Sequence, residues 1–143
     1  ADEPIAMADV SVRALILELM KRLKDEFNLT YLFITHDLAT AKYLCDRIAI
    51  MYLGRIVELG SREELFARPH HPYTRALLDA VPVPDPDQRR TREVVRGEIP
   101  SAIQPPAGCH FHPRCPFAMP KCREARPPLK EIAPGHLSAC LLD

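Results

Sequence analysis

The residues best equipped for chemistry stand near the start of the chain, as Asp2-Glu3-Pro4 and Thr35-His36-Asp37. An acidic pair at the end of a strand is a usual place to hold Mg²⁺ and polarise a water. A histidine leaving a buried strand at the same sheet edge can reach a phosphate. Together they read as the second half of a nucleotide-hydrolysing site. The first half, a Gly-x-x-x-x-Gly-Lys-Ser/Thr loop that would cradle the phosphates, does not occur in these 143 residues. A second set is Cys109, Cys115, Cys122 and Cys140, with five, six and seventeen residues between them. Structural zinc usually shows more closely paired cysteines. The wide spacing and the Cys115-Pro116 step therefore favour four-thiolate iron–sulfur ligation. Zinc, with His110, His112 or His136 replacing a thiolate, and free thiols are the alternatives.

These groups need elements to hold them. Val12, Leu15, Ile16, Leu19, Leu23 and Phe27 recur at helical spacing, so an amphipathic helix is expected from Val10 to about Phe27, with Asp9 as its N-cap. The continuous apolar run Thr30–Thr35 fits a strand buried on both faces in a parallel sheet. A helix over Leu38–Cys45 then leads to a strand over Arg47–Tyr52, completing a crossover. Cys45, on that helix, is read as a packing residue and not a ligand. Leu53-Gly54 turns the chain into Arg55–Leu59 as a hairpin. Ser61 and Glu64 form a capping-box signature for a short helix ended by Pro69, and Pro72 opens another over Tyr73–Ala80.

Proline marks the internal boundary. Only Pro4 precedes Pro69, and the other 14 of 15 prolines follow, so regular structure is expected early and loops late. The reading is α/β: residues 1–81 as one domain part, 82–107 as a stiff proline-rich linker, and 108–143 as an irregular, cysteine-rich, metal-binding tail. Lys+Arg and Asp+Glu balance at 19 each, which excludes a field that would draw the chain to nucleic acid. No apolar run approaches the ~20 residues that span a bilayer, and no signal peptide is visible. A soluble, cytoplasmic chain is expected.

The order Asp2-Glu3-Pro4, Asp9, Thr35-His36-Asp37 and Arg47-Ile-Ala-Ile-Met-Tyr-Leu-Gly-Arg-Ile-Val-Glu58 resembles the C-terminal half of an ABC-transporter ATPase. His71-Pro-Tyr-Thr-Arg-Ala-Leu-Leu-Asp-Ala-Val-Pro-Val-Pro-Asp-Pro86 and Gly108-Cys-His-Phe-His-Pro-Arg-Cys-Pro-Phe-Ala118 narrow the resemblance to the oligopeptide/dipeptide importer ATPases. It implies ATP and Mg²⁺ as cofactors, with Asp2 supporting the metal and Glu3 acting as general base or water-orienting group. It also implies His36 as the residue that binds the γ-phosphate, and Asp9 as the aspartate facing a second ATPase subunit. Transmembrane permease subunits and, indirectly, a peptide-binding protein would be partners, with the protein peripheral on the inner face of the plasma membrane. Some members of that family carry an iron–sulfur cluster in this tail, in a structural or regulatory role.

One departure stands out. The family pattern Asp-Glu-Pro-Thr-Ser/Thr-Ala-Leu-Asp reads here Asp2-Glu-Pro-Ile-Ala-Met-Ala-Asp9, with Ile5 for a hydroxyl residue and Ala8 for Leu. The phosphate loop, the Gln loop and the Leu-Ser-Gly-Gly-Gln signature are also absent from the sequence. A fragment is therefore expected, inactive by itself, frayed at Asp2 and Glu3, and prone to self-association through the apolar Thr30–Thr35 edge. A metal-stapled protein-interaction module is the competing reading.

Overall fold

The computed structural model describes residues 1–81 and 97–142. They pack as two units, Ala1–Cys45 and Asp46–Asp143. In the first unit, helix α1 spans Val10–Phe27. Asp9 caps it by accepting the Val12 N–H at 2.9 Å, and Asn28, in the left-handed region at φ 51°, closes it through Lys24. The helix falls where the periodicity predicts, but the face it buries is rotated from the expected one and shares only half-buried Ile16 and Leu23 with it. Leu15, Leu19 and Phe27 are more than half exposed, whereas Leu17 is buried with Ile5 and Leu44 beside half-buried Ile16, Met20 and Phe33. Both stripes are apolar, so neighbouring segments decide which one is covered.

The run Thr30–Thr35 does not form a strand ladder buried on both faces. Its parallel pairing is the single bridge Asp2↔Ile34, and Leu32 and Ile34 remain exposed. Ala1–Glu3 is nevertheless tied down, not frayed. The terminal amine donates to the Leu32 carbonyl at 2.8 Å, the Ile34 N–H to Ala1 at 2.8 Å, and the Glu3 N–H to Ile34 at 3.0 Å. Helix α2, Leu38–Leu44, follows, and Cys45 is its half-buried C-cap.

The second unit is built on a hairpin. Strands β1 (Arg47–Tyr52) and β2 (Arg55–Ser61) pair antiparallel. Their two-residue loop has positive φ at both Leu53 (43°) and Gly54 (73°), the twist a tight hairpin requires. Ile48, Ile50 and Tyr52 alternate inward on β1. Ser61 caps α3 (Arg62–Ala67) by accepting the Glu64 N–H, and α4 (Pro72–Ala80) begins with proline in its first turn.

The cysteine-rich tail is more regular than its prolines suggest. Residues after 108 supply a short helix α5 (Lys121–Glu124) and strands β3 (Lys130–Ala133) and β4 (His136–Ser138). The sheet has the order β1-β2-β4-β3, and its ladders are all antiparallel. The expected parallel sheet is thus replaced, among the described residues, by an antiparallel one plus the isolated bridge. The strands escape a proline-based reading because they are three or four residues long, with Pro127, Pro128 and Pro134 just outside them. Of the expected linker, residues 82–96 lie outside the described residues, and 97–107 contain no helix or strand. Tyr52, Tyr73, His71 and Phe111 pack together with ring centroids 4.7–5.8 Å apart, joining hairpin, α4 and tail. No helix among the described residues is long and apolar enough to cross a membrane.

Candidate functional site

Glu3 and His36 meet because the Asp2↔Ile34 bridge sets their two segments side by side. The Glu3 Oε1 accepts both the His36 N–H at 3.0 Å and the His36 Nδ1–H at 2.7 Å. Glu3 adopts φ 44°, an uncommon conformation for a residue with a Cβ, which turns the chain directly after the bridge. The contact fixes the ring tautomer by placing the proton on Nδ1, and leaves Nε2 for another partner. The side chains are 35% and 80% exposed respectively, so a ligand can reach both.

Asp2 lies on the bridge itself and is exposed. Asp9 is also exposed, but its carboxylate is occupied. It accepts from the Val12 N–H and from Ser11 Oγ, and these bonds hold its pKa below the usual carboxylate value. Asp37, beside His36, caps α2 by accepting from the Ala39 N–H and from Thr40 Oγ1. The Thr40 bond is the largest cause of its lowered pKa. The structure brings Glu3 and His36 into contact, with Asp2 adjacent in the chain, and it gives Asp9 a capping bond.

Cys109, Cys115, Cys122 and Cys140 all line one pocket of the second unit, together with His71 and His112. Gly108 makes part of this possible. Its φ is +69°, and a Cβ there would fall 2.4 Å from the Cys122 carbonyl oxygen, to which the Cys109 N–H donates at 2.8 Å. Burial pushes the Cys109 and Cys140 thiols up, and the Cys115 thiol up to about 11, with the neighbouring cysteines adding to the shift. All four thiols are free. Among the described residues, no three His, Cys, Asp or Glu groups stand close enough to hold a metal ion, so the expected metal centre is not set out by the side-chain positions themselves.

One acidic residue was not singled out from the sequence. Glu58, on β2, is fully buried. Its Oε1 accepts from the His70 N–H at 2.8 Å and from His136 Nε2–H at 2.7 Å, and its Oε2 from the His71 N–H at 2.9 Å. His71 in turn caps α4, its Nδ1 accepting the Tyr73 N–H at 3.1 Å, and desolvation lowers its pKa to about 4. The sequence signal was available: a carboxylate in an apolar strand, followed twelve residues later by His70-His71.

Residues 57–122 match the family described as "Oligopeptide/dipeptide transporter, C-terminal region". Over its whole length the chain is similar to proteins named as peptide import and oligopeptide transport ATP-binding proteins. A putative peptide import ATP-binding protein of Brucella ovis is 52% identical over 143 residues, which is 100% of this chain and 45% of that protein. The oligopeptide transport ATP-binding protein AppF of Bacillus subtilis is 51% identical over 144 residues, covering 99% of this chain and 44% of AppF. The chain therefore spans less than half the length of these relatives. The matched region runs from the hairpin into the cysteine-lined pocket. The Glu3–His36 pair falls outside it but inside the alignment with both relatives.

Proposed function

We propose that this chain is the C-terminal part of the ATP-hydrolysing subunit that energises an ABC-type peptide importer. The observation that carries the reading is the Glu3–His36 contact at 2.7 Å beside the exposed Asp2. Phosphoryl transfer calls for positioning and charge neutralisation more than covalent chemistry. Glu3 would orient or deprotonate the attacking water, and His36, held through Nδ1, would present Nε2 to the γ-phosphate. Asp2 would support Mg²⁺ through water, which in turn draws charge from the phosphates. Asp9 would sit at the interface with a second ATPase subunit, and permease subunits would complete the assembly at the inner face of the membrane. By themselves these 143 residues offer no phosphate-cradling loop, so they would neither bind Mg-ATP tightly nor turn it over.

In the full-length subunit, Glu3→Gln should retain ATP binding and lose at least about 99% of turnover, the scale expected when a positioned base is removed. His36→Ala should act in the same direction. Turnover like that of the unaltered subunit in the Glu3 variant would remove Glu3 from this role.

The reading extends to the tail. Cys109, Cys115, Cys122 and Cys140 would hold a four-thiolate iron–sulfur centre, a reading that rests on their spacing and requires their side chains to turn toward one another within the pocket they line. Such a centre would cross-link the tail and take no part in hydrolysis. Anaerobically purified protein should contain about four irons per chain. One zinc without iron would replace the cluster by the alternative metal, and neither metal would leave the pocket a thiol-lined packing site.

A further inference from the structure

We infer that Glu58 is the positioning residue that holds the cysteine pocket shut, by fixing two of its walls at once. The pocket is lined on one side by His71 and Pro72, at the start of α4, and on another by Cys140, Leu141 and Leu142, just after β4. These segments are far apart in sequence, and one carboxylate binds both. Glu58 accepts from the backbone N–H groups of His70 and His71, the residues that lead into α4. The same carboxylate accepts from the His136 ring, at the first position of β4.

Three further contacts concentrate force on this point. Glu58 pairs with Ser138 across the β2–β4 ladder, and Ser138 Oγ lies 3.0 Å from His70 Nδ1. The Ala139 N–H donates to the Val57 carbonyl at 2.8 Å, directly before Cys140. Gly60 leaves room for the His136 ring, because a Cβ there would lie 3.2 Å from its Cδ2.

A fully buried carboxylate is tolerable only when its lone pairs are satisfied, and here three N–H donors satisfy them. Remove it, and both His70–His71 and His136 lose their common anchor. Among the described residues no other carboxylate bonds both segments, and the Ser138 Oγ–His70 Nδ1 contact is then left to tie them. Glu64 is the other acidic group facing His136, at 3.9 Å from Nδ1, and it is already engaged by Arg68. This inference rests on the pocket's geometry and not on what the pocket binds, so it stands or falls separately from the iron–sulfur reading.

The test is residue-resolved alkylation by iodoacetamide of the full-length subunit, first freed of any bound metal, followed by mass spectrometry. Glu58→Ala should raise the modification rate of Cys140 and Cys115 by about tenfold, through local opening of the pocket. Cys45, in the other unit, should keep its rate and serves as the internal reference. Glu58→Gln, which keeps the side-chain length and one acceptor oxygen, should fall between the two. If Glu58→Ala does not fold, Glu58→Gln is read against the same criteria. Leu65→Ala, a core truncation in α3 that adjoins Gly60, lies outside the pocket lining and keeps Glu58, controls for lost stability. Unchanged Cys140 and Cys115 rates in the Glu58 variants would overturn the inference. So would an equal rise in Leu65→Ala at matched unfolding free energy.

Discussion

The chain contains two carboxylate–imidazole pairs with the same contact distance and opposite surroundings. Glu3 Oε1 and His36 Nδ1 are 2.7 Å apart in the first unit, as are Glu58 Oε1 and His136 Nε2 in the second. The first pair is open, with His36 80% exposed, and the second is closed, at 3% and 0%. An exposed pair gains little net stability, because water competes for both partners. It can, however, exchange partners and meet a ligand. A buried pair has no such freedom: each member satisfies the other, and loss of either leaves a charge or a donor stranded in the interior. Equal geometry therefore supports unequal work, and burial makes the difference.

The largest effect that separates the pairs is on stability. His136→Ala should destabilise the second unit by about 1–3 kcal/mol, the cost of leaving a buried acceptor without its donor. His36→Ala should leave unfolding within about 0.5 kcal/mol, as surface substitutions do. Chemical denaturation of both variants checks the contrast, and comparable losses would erase it.

A smaller effect sharpens the comparison through pH. His71, one neighbour of the buried carboxylate, has its pKa lowered to about 4 from an ordinary 6.5, first by desolvation. Between those values the unfolded chain binds more protons than the folded one. The stability this residue confers is thus complete above about pH 6.5 and declines as the pH falls toward 4, by at most about 3 kcal/mol. Protonation of Nδ1 also removes the cap on α4, since that nitrogen accepts the Tyr73 N–H. His71→Asn, which caps a helix and does not titrate, should flatten the slope in this range. Unfolding free energies measured from pH 4 to 7 decide the matter, and an unaltered slope in the variant would exclude His71 as its source.

The two regions also differ in how far they can be read from sequence. That Glu3 and His36 meet at one edge is legible because their segments follow a motif of fixed order, and Asp9 and Ser61 are legible as caps because capping is local. The hairpin is legible for the same reason, since Leu53-Gly54 sets the turn without help from distant residues. Ile5 was the unexplained departure in its loop. Its place in the core with Leu17 and Leu44 accounts for an apolar side chain there. The buried face of α1 is legible only in Ile16 and Leu23, because overlapping apolar stripes compete and packing chooses between them. Strands β3 and β4 were hidden by their shortness and by flanking prolines. Glu58 was hidden because charge in a strand ordinarily means a solvent-facing position. Here the alternation breaks, with Val57 and Glu58 both buried. What makes that possible lies in His70, His71 and His136, and His136 is 78 residues away.

The most direct test sets the two carboxylates against each other in the full-length subunit, with ATP turnover and thermal unfolding measured on the same preparations of Glu3→Gln and Glu58→Gln. Glu3→Gln should lose turnover and keep its unfolding profile. Glu58→Gln, assayed below its own unfolding transition, should keep most turnover and unfold at a temperature several degrees lower. If Glu3→Gln still turned over ATP, or if Glu58→Gln lost turnover while its unfolding was unchanged, the proposed division between an open pair that serves hydrolysis and a closed pair that holds structure would be contradicted.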